Sequence, residues 1–328
     1  MIHGDRHVRN ISHDDAAQVR TLVGKVTAEY SEVTNPLFVE HASALAGKLP
    51  TAVLHACRPP DPTLGLVVLR GLPVDEGELG PTPASWSAAD HWCAAEQDIL
   101  LFLLATVMGR VFGWAGQQDG RLVHDIVPAR GSEREQTGAS SSVLLTPHTE
   151  DAFHPRRANY LMLGCLRNPD RVGTTAASVR QTELNNADIA ILSRADLPIL
   201  PDSSYGEDHS GAGVPPPVAT VWRKNDGLGL RYDPAYTPLA RASPEYGAAY
   251  RRLGAELERV SHTIVLNPGE FLVLDNDAVV HGRVPFTARY DGTDRWIKRV
   301  NIRAARPERP DAEAREHGYG QEVVDPYA

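Results

Sequence analysis

The sequence predicts a mainly β fold, a sandwich or barrel with helices packed on it, and three observations lead there. From Leu122 onward the chain runs in short apolar, β-branched segments punctuated by Gly, Pro, Asn and Asp. Before that point apolar residues recur at helical spacing, and after it one segment, Glu245 to Ser261, returns to that spacing. No internal repeat or sharp change of composition divides the 328 residues, so one domain is expected.

Taken in order, Ser12 with Asp15 makes a capping-box start for a helix carrying Val19, Leu22, Val23, Val26 and Tyr30 on one face. A second helix begins at Pro36 and carries Phe38, Val39, Ala42 and Leu45. Gly65 to Arg70 reads as a strand, residues 73–87 as a Pro/Gly/Ser loop, and Ile99 to Met108 as a short buried helix. The β-rich part includes Val143 to Leu145, Tyr160 to Leu163, Thr263 to Leu266, Phe271 to Leu274 and Trp296 to Ile302. Asn267-Pro-Gly-Glu270 supplies a turn between two of them. Residues 201–217 mix Pro, Gly, Ser and charge without period, which fits either a mobile cover over a site or a surface insertion. Residues 1–64 are thus expected to be mainly helical, 65–306 to form the core and 307–328 a tail.

A net charge of -9 disfavours nucleic acid and anionic membrane surfaces, both of which favour a basic face, and leaves small-molecule chemistry. Cys57, Cys93 and Cys165 are scattered and lack CxxC spacing, as expected of reduced thiols in the cytoplasm. No basic-then-apolar leader and no apolar stretch of membrane-spanning length is apparent. Nothing in the sequence reports the oligomeric state.

The strongest local chemistry is LLTPHTED, where His148 and Glu150, two apart on a predicted strand, point to one face. Such triplets are common, so a third ligand decides the matter. VLDNDAVVHGRV offers His281 after an apolar strand and an Asp-rich turn, with His124, His154 and His262 as competitors. Two imidazoles and one carboxylate on one face of an iron ion leave room for a bidentate 2-oxo acid and O2. Fourteen residues beyond His281, Arg295, Ile297 and Arg299 share one strand face. If that face is interior, two guanidinium groups without nearby carboxylates await carboxylate ligands; otherwise they form a solvated basic strand.

The segments HTEDAFHP, CLRNPDRVGTT, NDAVVHGRVPF and ARYDGTDRWIKRV resemble the corresponding motifs of clavaminate synthase-like Fe(II)/2-oxoglutarate-dependent oxygenases. GWAGQQDGRLVHDIVP and LRYDPAYT resemble those of arginine hydroxylases from viomycin- and streptothricin-type antibiotic pathways. The resemblance spans residues 65–303 and implies a double-stranded β-helix, or jelly roll, flanked by helices. It also implies iron on His148, Glu150 and His281, and 2-oxoglutarate on Arg295 with the hydroxyl of Thr175, or of Thr174 if the register shifts by one. Arg299 would hold the substrate α-carboxylate and Gln117 or Gln118 the α-amino end, Glu150 sharing that contact.

Asp233 would face a cationic or amide side chain, unless it only shapes its Tyr-Asp-Pro turn; no second acidic residue is evident, Ala235 being apolar. The implied reaction hydroxylates a free L-amino acid at Cβ, converting 2-oxoglutarate and O2 to succinate and CO2, with L-arginine as first substrate. Lysine, ornithine, asparagine, glutamine or histidine, and a desaturation or ring closure, fit the same iron site. Two rivals differ in class: a non-catalytic jelly-roll binding protein, and a zinc hydrolase, which would leave Arg295 and Arg299 without a task.

Overall fold

The structure, a computed structural model, describes residues 7–89, 94–205, 216–304 and 309–328. Cys93 and most of the expected cover at 201–217 lie outside the described residues.

The predicted helices form where their caps and stripes place them. Ser12 Oγ accepts the backbone N–H of Asp15 at 3.1 Å, and the helix His13–Tyr30 buries Val19, Val23, Val26 and Tyr30. Asn35 caps Pro36–Ala46, with proline at the first turn where its missing N–H costs nothing. The apolar run that predicted Ile99 to Met108 extends to Ala95–Met108, and Pro244–Arg259 turns Tyr246, Tyr250, Leu253 and Leu257 inward.

Two sheets lie face to face. Among the described residues the larger runs, in spatial order, Val8–Asn10, Leu66–Arg70, Glu270–Asp275, Tyr160–Arg167, Trp296–Arg303, Arg110–Trp114 and Val323–Val324, with Val123–Ile126 also pairing with Trp296–Arg303. The smaller contains His262–Ile264, Thr174–Ser178, Val279–Arg283 and Leu145–His148. Period-two alternation divides the larger sheet's residues between two cores. Val67, Leu69, Met162, Val273 and Ile302 face the N-terminal helices, while Leu66, Val68, Leu161, Leu163, Leu272 and Ile297 face the smaller sheet. A third cluster seals the smaller sheet's outer face against Pro244–Arg259 through Ala177, Val280, Tyr246 and Leu253. This is the jelly-roll core with flanking helices that the sequence predicts.

Several boundaries differ from expectation. The strand expected at Val143 to Leu145 is Leu145–His148, because Leu144 is exposed and Arg283 takes the Val143 carbonyl at 3.1 Å, outside the sheet. The Asn267 to Glu270 turn carries the chain from the smaller sheet into the larger and does not close a hairpin. Gly269 makes that step with φ +79, where a Cβ would stand 2.4 Å from the Leu72 carbonyl oxygen. The N-terminal part contributes an edge strand, Val8–Asn10, parallel to Leu66–Arg70. The expected tail is built in: Val323–Val324 pairs with Arg110–Trp114, and Glu313 and Glu316 pair with the buried Arg157 and Arg231. No helix among the described residues is long and apolar enough to cross a membrane.

Candidate active site

Strand pairing assembles the metal-binding group. His148 ends its strand directly across from His281 in Val279–Arg283. Gly282 permits that approach, since a Cβ there would meet the Leu145 carbonyl oxygen at 2.3 Å. Glu150 lies past the strand end, in the turn that follows, and not on the strand with His148. Asn276, from the Asp-rich turn before His281, fixes it: Glu150 N–H donates to Asn276 Oδ1 at 2.9 Å and Asn276 Nδ2 donates to the Glu150 carbonyl at 3.1 Å. Next along, Asp151 at φ +52 accepts Trp114 Nε1–H at 2.7 Å and the Tyr205 hydroxyl.

Among the described residues, His148, Glu150 and His281 are the group of His, Cys, Asp and Glu donors able to hold a metal, one ligand atom of each lying within 4.8 Å of the others. Glu150 Oε2 is 3.3 Å from His281 Nε2 and 4.0 Å from His148 Nε2. Three neighbouring ligands of one ion, each at roughly 2.1 Å, stand about 3 Å apart; Glu150 and His281 are already near that spacing, and His148 has to draw in to reach it. His148 Nδ1 lies 2.8 Å from the Thr146 carbonyl oxygen, so Nδ1–H donates there and the Nε2 lone pair is left for the ion. The competing histidines serve elsewhere. His154 Nε2 meets the Gln321 carbonyl, His262 sits in the strand opposite Ala176, and His124 supports Arg299.

Arg299 and Arg295 both point into the interior and line one cavity of about 480 Å³ together with His148, Glu150 and His281. Of the two, Arg295 has no carboxylate partner among the described residues. Arg299 donates to Glu150 Oε1, to Gln117 Oε1 at 2.7 Å and to His124 Nδ1 at 2.6 Å. Glu150 therefore faces the imidazoles with one oxygen and Arg299 with the other, a reach that the extra methylene of glutamate over aspartate supplies. Burial alone would raise the Glu150 carboxyl, but Arg299 and the two imidazoles hold it well below the usual range. Burial and the Arg299 charge keep His124 neutral, so its Nε2–H donates to the Arg121 carbonyl and Nδ1 accepts from Arg299. Lys298, on the other face of the strand, is buried between Asp98 at 2.8 Å and Asp125 at 2.7 Å.

Arg295 Nη2 donates to Thr174 Oγ1 at 3.1 Å. The structure thus brings Thr174, and not Thr175, to this arginine. Thr174 and Ala176 share the inner face of their strand, and the pleat turns Thr175 away. Of the two glutamines, Gln117 reaches Arg299 and Ser204 Oγ, whereas Gln118 spends both ends on the Asp125 backbone. The Nε groups of Arg295 and Arg299 are buried without a hydrogen-bond partner among the described residues, and each can donate to an anionic ligand in the cavity.

Asp233 forms the turn that was the alternative for it, Oδ1 accepting Ala235 N–H at 3.1 Å and Tyr236 N–H at 3.2 Å. Burial pushes its carboxyl up to about 6, with His148 and the N–H groups of Tyr236 and Ala235 pulling the other way. The sequence reading missed Asp202, which lines the cavity. Burial raises its carboxyl, the hydrogen bonds from Ser204 oppose that, and Glu150 and Asp233 are among its charged neighbours. Its only signal was a carboxylate at the start of the aperiodic 201–217 stretch.

Comparison with known proteins agrees with this geometry. The family described as "Taurine catabolism dioxygenase TauD, TfdA family" matches residues 63–301. An enduracididine beta-hydroxylase of Streptomyces hygroscopicus is 37% identical over 93% of this chain and 96% of its own length. An L-ornithine/L-arginine 3-hydroxylase of Catenulispora acidiphila is 32% identical over 90% and 94%. The non-heme iron oxygenase OrfP, solved with Fe and alpha-ketoglutaric acid, superposes with TM-score 0.83 at 36% identity, covering 90% of this chain and 94% of that one. Its complex with Fe, succinate and (3R,4R)-dihydroxy-L-Arg gives 0.82 at 35% identity, covering 90% and 93%. A metal-binding group of two histidines and a glutamate, two buried arginines aimed into one cavity and a match to the family over most of its length lead to one conclusion: the chain belongs to the TauD, TfdA dioxygenase family and is a non-haem iron, 2-oxoglutarate-dependent oxygenase.

Proposed function

We propose that the protein hydroxylates Cβ of free L-arginine. The observation that carries this is the layout of charge in one cavity: a metal-binding group, two guanidinium groups with unfilled donors, and Asp202 with Asp233 nearby. Iron on His148, Glu150 and His281 supplies the oxidising chemistry, in which O2 and 2-oxoglutarate become succinate, CO2 and the hydroxyl oxygen of the product.

The chain's own task is positioning. Arg295 with Thr174 holds the distal carboxylate of 2-oxoglutarate. Arg299 receives the substrate α-carboxylate through its unfilled Nε–H, while Gln117, fixed between Arg299 and Ser204, meets the α-amino end. Because Glu150 touches both Arg299 and the metal face, the amino acid is anchored to the group that holds the ion, which brings the carbons nearest its carboxylate close to the reacting centre. Asp202 and Asp233 pair with the guanidinium of the substrate. Two relatives named for beta- or 3-hydroxylation support the same carbon, and both act on side chains that carry a positive charge. A cyclic guanidino amino acid such as enduracididine is the second reading, favoured by the 37% identity to an enzyme of that name. We also place the protein in the cytoplasm, where the buried Cys57 and Cys165 stay reduced.

The test is anaerobic reconstitution with Fe(II) and 2-oxoglutarate, followed by O2 and each L-amino acid in turn, reading succinate and a product heavier by one oxygen. Arginine giving the highest coupled yield, with the hydroxyl located at C3, supports the proposal. Arginine failing to raise succinate above background while another amino acid or enduracididine does so removes arginine as the substrate.

A further inference from the structure

His281 and Arg283 are two residues apart on one strand and so share its inner face, where both line the cavity. Arg283 is directly opposite Thr174 in the antiparallel register, and Thr174 is the hydroxyl that Arg295 grips. The three side chains are therefore neighbours. Arg283 is buried, 3% exposed, yet its partners are all neutral: the Ser140 carbonyl and hydroxyl, the Val143 carbonyl at 3.1 Å and the Val284 carbonyl at 3.2 Å. A guanidinium is not deprotonated inside a protein, so Arg283 keeps its positive charge there. Two buried positive charges, neither matched by a carboxylate among the described residues, thus flank Thr174. A buried charge is normally paired, and here the protein supplies no counter-ion.

We propose that Arg283 is a specificity-determining residue for the co-substrate, supplying with Arg295 the positive charge that selects a 2-oxo acid bearing a second, distal carboxylate. This rests on the placement of 2-oxoglutarate given above. Arg295 makes the contact. Arg283, its fork held by backbone carbonyls, acts through its field, which in a buried site is screened far less than in water. The same carbonyl bonds tie residues 140–143 to the strand, so a purely mechanical clamp is the competing explanation, and the experiment separates the two.

Binding is measured by calorimetry on the Fe(II)-loaded protein without O2, with 2-oxoglutarate and with 2-oxopentanoate, which has the same chain length and no distal carboxylate. Wild-type protein prefers 2-oxoglutarate; lack of that preference would sink the co-substrate placement itself. Arg283→Gln weakens 2-oxoglutarate about tenfold or more and changes 2-oxopentanoate little, so the preference collapses. Arg283→Lys, which keeps the charge and loses the fork, retains most of the preference and decides the question if the glutamine variant does not fold. A preference unchanged in Arg283→Gln, equal weakening of both acids in that variant, or a preference lost in Arg283→Lys would each show that Arg283 only clamps, and would overturn the proposal.

Discussion

The metal-binding group and the carboxylates Asp202 and Asp233 meet in one part of the molecule but are built from different material. His148 and His281 face each other across paired strands, and Asn276 grips the turn that carries Glu150 from both sides. Asp202 and Asp233 occupy turns, each using an oxygen to accept backbone N–H groups of its own loop. Of the groups suited to hold an ion, the two imidazoles are fixed by the sheet and the glutamate by a turn that Asn276 clamps. Groups that recognise a side chain sit on loops, where substitution leaves the core intact. The expectation is that the two regions separate in their effects: changes at the first abolish chemistry, and changes at the second alter which amino acid is used.

The largest effect should come from His148→Ala or His281→Ala, which removes Fe(II) binding and takes succinate formation to background with every amino acid; metal content and succinate assays check it. Glu150→Asp tests the bridge between the regions. The shorter arm satisfies the metal or Arg299 but not both, so hydroxylated product per succinate should fall several-fold while iron is retained, read by parallel quantification of both products. If coupling stays intact, the glutamate length has no special role.

Asp202→Asn combined with Asp233→Asn should raise KM for arginine about ten- to a hundredfold, the cost of losing hydrogen bonds to a charged group, and leave KM for 2-oxoglutarate unchanged. Equal changes in both would mean that the two regions are not separable. Since burial raises Asp233 to about 6, it is charged above that pH and becomes neutral below it. KM for a cationic substrate should therefore rise as pH drops from 7 to 5, and the rise should shrink in Asp233→Asn. The smallest effect serves as a control remote from both regions: Ser12→Ala removes a helix cap and should cost about 1 kcal/mol in denaturant unfolding with no kinetic change.

The parts of this site legible in sequence are those whose geometry is local. His148 and Glu150 stood out by spacing and Arg295 with Arg299 by alternation on one strand, whereas His281 was one of several candidate histidines until the resemblance to a known family selected it. The partners of Arg299 were hidden because Gln117, His124 and Glu150 come from three distant stretches. The choice between Thr174 and Thr175 was hidden for another reason: alternation says that they face opposite ways, but which way is inward depends on pairing with Val279–Arg283. Asp202 gave no periodic signal, and Arg283 was passed over because an arginine in HGRV looks no different from a solvated one until its burial is known.

By itself the sequence determined the β-rich core, the capped helices, the spacing of His148 and Glu150 and the pair of arginines, because each follows from period, cap chemistry or spacing within about twenty residues; His281, far along the chain, was singled out by the resemblance to a known family. Tertiary structure alone decided which threonine meets Arg295, that Glu150 is shared between the metal face and Arg299, and that Arg283 carries an unmatched charge beside the cavity. The physical reason is that register and burial are properties of the packed sheets: a shift by one residue would exchange the inward and outward faces without altering the composition or spacing of any strand.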